Sequence, residues 1–297
     1  MQAFVPGLYA RSEALVQATR DLDRGRTTQE AVDEQVERDL AELVSVQQAA
    51  GLDLLADGML RWQDVFRPFV EAADGLETGA LTRFLDTNTF FRAPSATTAS
   101  PALSQTLNGR YFASLPAPRL VTLPSPFALA QGTGVEPSVV AEGVLKAQLD
   151  AVDAELVVLE EPFMARAESV DLGGVAGALE KLAGGPKLAL WVTFGDAQPL
   201  LQQGLADLPV DAIGVDFYAT KVDAIPEGFD KLLLAGVLDA RSSVPEDPAE
   251  IAAFVPQLHE RGVKEVALVP NGDLQYVSEP VARGKVDRLG KAKEAAA

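Results

Sequence analysis

Cysteine is absent and histidine occurs once, as His259. With no thiol, disulfides, thiolate zinc sites, iron–sulfur clusters and cysteine nucleophiles are all excluded. A single imidazole leaves Ser-His-Asp catalysis and multi-histidine metal sites without enough ligands, and His259 falls on a predicted surface helix, Pro248–Arg261. No apolar run reaches the roughly 18 residues that a membrane span needs. The opening Met1-Gln2-Ala3-Phe4-Val5-Pro6 has neither a charged leader region nor a cleavage pattern, so the expected location is cytoplasmic. Basic residues are outnumbered, 25 Lys and Arg against 43 Asp and Glu, for a net charge of −18. Such a surface repels a phosphate backbone, and a nucleic-acid partner is not expected.

What is present is a large apolar fraction, 47% of 297 residues, arranged in alternation. Short β-rich runs are separated by amphipathic stretches. The runs are Phe4–Leu8, Leu52–Ala56, Leu120–Leu123, Leu156–Leu159, Leu188–Val192, Ala212–Asp216, Leu232–Leu238 and Val263–Val269. They are apolar at nearly every position, as parallel strands buried on both faces require. Thr27 and Glu30 have capping-box spacing ahead of a stripe of Val32, Val36, Leu40, Leu43 and Gln47 that ends at Gly51. Asp247-Pro248 is an N-cap followed by a first-turn proline. Helices are also predicted over Glu142–Asp153, Val175–Leu182 and Ala282–Ala297. This order predicts an α/β protein, a single (β/α)₈ TIM barrel over residues 1–297. The segment Leu81–Pro118, between the second and third strands, is predicted to be an insertion or hairpin over the barrel mouth.

In a barrel the chemistry lies at the C-terminal strand ends. There the sequence places Arg11, Asp57, Glu160, Trp191, Asp216, Asp239 and Arg241, with Asn271 and Asp273 at the last end. Trp62 follows Asp57-Gly58 and offers a stacking surface for a planar ligand or, read more plainly, a buried anchor. Converging carboxylates suit a substrate with an amino group, and Glu160 and Asp216 are the catalytic candidates. Paired carboxylates of this kind could equally serve a metal-independent lyase or hydrolase.

These residues resemble the cobalamin-independent methionine synthase family in a short single-barrel form. Gly7-Leu8-Tyr9-Ala10-Arg11-Ser12 is similar to its opening segment, and Gly51-Leu52-Asp53-Leu54-Leu55-Ala56-Asp57-Gly58 to its second. Asp86-Thr87-Asn88, flanked by aromatics, resembles its D-T-N segment, and Leu81–Pro94 is at least as similar to the zinc-free N-terminal barrel of the full-length enzymes as to the catalytic one. Glu160-Glu161-Pro162 resembles D-E-P, and Gly236–Ser242 with Glu246 resembles the strand end that carries Asp239 and Arg241. The resemblance implies methyl transfer from a folate or corrinoid donor to homocysteine or a related thiol, in methionine biosynthesis. It implies Arg11, Asp57, Trp62, Asp86, Asn88, Trp191, Asp239 and Arg241 as substrate-binding residues. The family's zinc ligands, however, fall on Trp191, Thr193, Asp216 and Gly272. Zinc is therefore not expected, no cofactor is certain, and methyl-folate is the candidate donor. The alternative is a non-catalytic accessory barrel that binds a folate or an amino acid beside a catalytic partner barrel.

Overall fold

The computed structural model describes residues 1–87 and 89–296. In chain order its elements are β1 (Gln2–Ala3), α1 (Glu13–Asp23), α2 (Gln29–Ala49), α3 (Arg67–Ala72), β2 (Ala73–Asp74), β3 (Leu76–Arg83), β4 (Phe90–Ala96) and β5 (Ala102–Leu103). There follow β6 (Leu120–Pro124), α4 (Pro126–Ala130), α5 (Pro137–Val140), α6 (Lys146–Asp150), β7 (Leu156–Glu161), α7 (Leu172–Leu182), β8 (Lys187–Val192) and α8 (Gln198–Gln202). The chain ends with β9 (Ala212–Asp216), β10 (Leu232–Leu238), α9 (Pro248–Glu260), β11 (Glu265–Pro270) and α10 (Glu279–Ala295).

Seven strands form one curled sheet in the order β1-β11-β10-β9-β8-β7-β6, parallel throughout. Alternate residues of a strand face opposite ways. One set, including Phe4, Val158, Trp191, Leu234 and Val269, fills the inside of the curl. The other set, including Val157, Leu190, Val215 and Leu233, packs against the helices.

The predicted first strand is displaced. Pairing covers Gln2–Ala3, with one further bond from the Phe4 N–H to Leu268 O at 3.2 Å. Beyond it Pro6 has no N–H, and Gly7 turns at φ +80°. The N–H groups of Gly7 and Leu8 go instead to side chains, Thr122 Oγ1 at 2.9 Å and Asp273 Oδ1 at 2.8 Å.

The predicted second strand is reduced to one bridge, Leu55 to Arg119. Residues 52–56 nevertheless reach both edges of the sheet. The Asp53 N–H bonds Ala3 O at 2.9 Å, the Leu55 N–H bonds Pro118 O at 3.0 Å, and the Leu120 N–H bonds Leu55 O at 2.9 Å. At Ala56 a side chain replaces a strand. Gln47 of α2 donates Nε2 to Ala56 O at 2.8 Å and accepts the Ala56 N–H on Oε1 at 3.0 Å.

The expected excursion contains a hairpin that starts at Leu76 rather than Leu81, β3 pairing antiparallel with β4. The cap of α2 is Thr28, whose hydroxyl accepts the Ala31 N–H, and not Thr27. Asp247 caps α9 as predicted, accepting the Ala249 N–H at 2.9 Å. The single helix expected over 142–153 is α5 and α6 joined by a π-helical turn, 141–145. The last helix begins at Glu279, ahead of the predicted Ala282.

Candidate functional site at the strand tops

Continuing the inward-facing positions toward the strand ends changes the residue type from apolar to polar. Above Leu156 and Val158 stands Glu160, above Ala212 stands Asp216, and above Ala267 and Val269 stands Asn271. Asp273 follows on the same side. Trp191 fills the space beneath them, and small residues make room for it. A Cβ on Gly214 would lie 2.5 Å from its ring, and one on Gly7 would lie 3.1 Å from the ring and 2.1 Å from Asp273 Oδ1.

Glu160 and Asp273 are a buried carboxyl pair, each 1% exposed. Burial raises both pKa values, and their mutual repulsion and shared hydrogen bond raise Glu160 further, well above the carboxylate range. The asymmetry follows from the donors. Asp273 accepts from the Leu8 N–H at 2.8 Å and from Gln275 Nε2 at 3.1 Å, and it is pushed up only to about 6. Among the described residues Glu160 has no such donors, and its Oε2 is buried without a partner. Of the two, Glu160 holds a proton more tightly and Asp273 ionises more readily.

Glu161, next along β7, does structural work. It accepts from the Ser125 hydroxyl and from the N–H groups of Phe163 at 2.8 Å and Met164 at 3.0 Å. Burial still raises its pKa to about 7. Asp216 is raised by burial as well. Its Oδ1 accepts from the Tyr218 N–H at 2.9 Å and from Asn271 Nδ2 at 3.1 Å, and Asn271 Oδ1 in turn takes the Ala240 N–H at 2.9 Å. Asp216 thus fixes the loops after β9 and β10.

The β3–β4 hairpin covers the carboxyl pair. Phe84 stacks on Tyr276 at 6.0 Å and meets Phe91 edge-on at 5.7 Å, while Phe66 meets Phe91 at 5.4 Å. The chamber left above Glu160 and Asp273 measures about 20 Å³, room for one water. The hairpin tip is tied down by Asp86, which pairs with Arg241 at 3.0 Å and Arg166 at 3.5 Å. Arg241 also lies over the Phe194 ring at 4.8 Å.

The expected residues therefore divide. Glu160, Trp191 and Asp216 converge on the mouth, and Asp86 and Arg241 meet at its rim. Asp239 begins the loop after β10, where its Oδ1 accepts the Arg241 N–H at 3.0 Å. Trp62 is 1% exposed, donates Nε1 to Tyr111 O at 2.9 Å and packs among Phe69, Tyr111 and Phe112, so it is an anchor and not a stacking surface. Asp57 holds the N–H groups of Met59 and Ala113 at 2.9 and 3.1 Å. Arg11 donates to Trp62 O and lines a crevice between α1, α2 and the loop after residue 59. Asn88 lies outside the described residues. Asp273 completes the pair and was recognisable only as a strand-end carboxylate.

The zinc that the resemblance implies does not fit. Its positions hold an indole, a hydroxyl, a carboxylate and a glycine, with no thiolate or imidazole. A Cβ on Gly272 would lie 2.1 Å from the Phe194 ring, so that place is already filled. Among the described residues no group of three or more His, Asp or Glu side chains is placed to hold a metal, and no helix is long and apolar enough to cross a membrane.

Comparison with curated proteins finds no match in sequence. Among solved structures, a B12-independent methionine synthase from Shewanella sp. W3-18-1, in complex with selenomethionine, aligns at a TM-score of 0.74 and 16% identity over 91% of this chain and 89% of that one. A putative vitamin-B12-independent methionine synthase from Listeria monocytogenes aligns at 0.74 and 16% identity over 100% and 96%. A methyltransferase from Methanosarcina mazei aligns at 0.58 and 15% identity over 99% and 94%. Residues 139–262 match the family described as cobalamin-independent synthase, N-terminal domain. The motif resemblance to the cobalamin-independent methionine synthase family is thus matched in sequence over residues 139–262, and the solved structures share the fold.

Proposed function

We propose that the chain is a cytoplasmic methyltransferase of the methionine-synthase type that works without zinc, moving a methyl group from a folate or corrinoid donor to homocysteine or a related thiol. The reading takes the curled sheet and residues 52–56, which hydrogen-bond to both of its edges, as one (β/α)₈ barrel over residues 1–297. The observation that carries it is the buried Glu160–Asp273 pair, in which Glu160 holds a proton more tightly than Asp273, beneath the β3–β4 hairpin.

A free thiol has a pKa of about 8.5, so it needs a base near neutrality. Once the β3–β4 hairpin opens to admit the substrates, Asp273 takes the thiol proton as the S–C bond forms. With a methyl-folate donor the C–N bond breaks, and Glu160 gives its proton to the leaving nitrogen. One proton enters the pair and one leaves. Transfer across the Asp273–Glu160 hydrogen bond then restores the starting state. The selenomethionine bound to the Shewanella synthase is a methylated amino acid of the product class, which supports a sulfur amino acid as acceptor. The reading requires no catalytic partner barrel.

The test is methionine formation by the purified protein from homocysteine with methyl-tetrahydrofolate or methylcobalamin, followed by mass spectrometry with and without added zinc. Turnover is expected without zinc. Glu160→Gln and Asp273→Asn are each expected to lower it about 100-fold or more with methyl-folate, the usual range for a lost general acid or base. No transfer from either donor, or full activity in Glu160→Gln with methyl-folate, overturns the proposal.

A further inference from the structure

Between the tops of β9 and β10 and the first turns of α9 lies a cavity of about 520 Å³, within the roughly 300–1,000 Å³ range of small-molecule sites. It sits on the helix side of the sheet, and neither Glu160 nor Asp273 lines it. One wall is aromatic, Phe217 meeting Phe254 edge to face at 5.0 Å. Tyr218, Asp239 and Glu246 also line it.

Glu246 gives the cavity its chemistry. Its side chain is 10% exposed. Oε1 is fully used, accepting Lys285 Nζ at 2.5 Å and the Asp239 N–H at 3.0 Å. Oε2 is buried and has no partner among the described residues. An unpaired buried carboxylate oxygen is costly, and native structures rarely leave one without a donor. The cations nearby are committed. Lys285 is held by Glu246 Oε1 and by Val244 O at 3.3 Å, and Arg241 turns away to Asp86 and the Phe194 ring. Asp239, Asp247 and Glu250 remain as surplus negative charge around the cavity.

We propose that this cavity binds a small organic ammonium ion with an apolar or aromatic body, the ammonium donating to Glu246 Oε2 and facing Asp239, the body lying against Phe217 and Phe254. An ammonium supplies the missing donor and is attracted by the aromatic faces. A carboxylate of the same size faces the surplus negative charge of Asp239, Asp247 and Glu250 there. The inference is independent of methyl transfer at the barrel mouth.

The experiment is titration of the full chain with benzylamine, benzyl alcohol and benzoate, read by calorimetry and by the NMR signals of the aromatic rings. Benzylamine is expected to bind saturably at about 1 mM or tighter, as its size allows, shifting the rings of Phe217 and Phe254. The alcohol and the carboxylate are expected to bind at least about tenfold more weakly. Glu246→Gln should cost at least that factor. Because that change also disturbs Lys285, Glu250→Lys at the exposed rim serves as a second variant and should weaken benzylamine severalfold. Glu160→Gln should leave binding unaltered. Equal affinity for amine and alcohol, no saturable binding up to about 10 mM, or shifts at Phe84 and Tyr276 instead would each overturn the proposal.

Discussion

Gln47 shows how one side chain substitutes for an element. Residues 52–56 have too few ladder bonds to hold their place, and the Gln47 amide supplies two of them at Ala56. Gln47→Leu keeps the volume but strands a buried N–H and a buried C=O. Each costs about 1–3 kcal/mol, so a loss of about 2–6 kcal/mol and a Tm lower by several degrees are expected in a thermal melt. A neutral result would mean that the backbone finds other partners. In the sequence Gln47 read as an ordinary member of an apolar stripe, because periodicity reports which face is buried and not what an amide there does. Glu160 and Asp216 were legible for a better reason, since each ends an apolar run on its inward-facing phase. Asp273 belongs to the same phase, but its partnership with Glu160 reaches across the curled sheet from β11 to β7, and no local pattern encodes such a contact. For Trp62 both a stacking surface and a buried anchor stood open, because a loop aromatic looks the same in sequence whether it anchors or binds.

Among elements, the β3–β4 hairpin decides access to the carboxyl pair. Its fastening has two parts of different strength. Phe84 is 5% exposed and packs on Tyr276, and Phe84→Ala should cost about 3 kcal/mol through the cavity it leaves. The Asp86 pairs with Arg241 and Arg166 are solvent-exposed and worth only about 0–1 kcal/mol. Asp86→Asn should therefore leave global stability almost unaltered while the hairpin opens more often. Hydrogen exchange is expected to quicken severalfold over residues 76–96 and not in the central strands β7–β10. Uniform quickening would refute a local latch. The strands from β6 to β11 were readable from sequence because both of their faces are buried. The two weak staves were not, since Pro6, Gly7 and Asp53 divert backbone groups to side chains. The hairpin was recognised but placed too late, because the stretch from Leu76 to Ala80 is polar and glycine-containing, without a strand's usual alternation.

For the whole molecule, the buried carboxyls set the response to pH. Glu160, Glu161, Asp273, Asp216 and Asp57 are all raised by burial. A raised carboxyl is protonated in the folded chain while the unfolded chain has already ionised. Its stabilising contribution is complete below the unfolded pKa and is lost as pH rises through the folded value. For Glu161 that window runs from the ordinary value of 4.5 to about 7, a loss on the order of 3 kcal/mol. The carboxyls shifted the other way, such as Asp86, are exposed and lose their small contribution only in more acidic solution, outside this window. Stability from denaturant midpoints should therefore fall between pH 5 and 8. The net charge of −18 predicts a fall as well, because repulsion among surface carboxylates grows as they ionise. Salt separates the two causes. At 1 M the screening length is about 3 Å, which suppresses surface repulsion and leaves desolvation in place. If burial dominates, most of the slope survives in 1 M salt, and Glu161→Gln, neutral at every pH, removes a large part of it. If the slope vanishes with salt, or if stability rises toward pH 8, the buried carboxyls are ionised in the folded chain, and the protonated Glu160 required for acid catalysis goes with them.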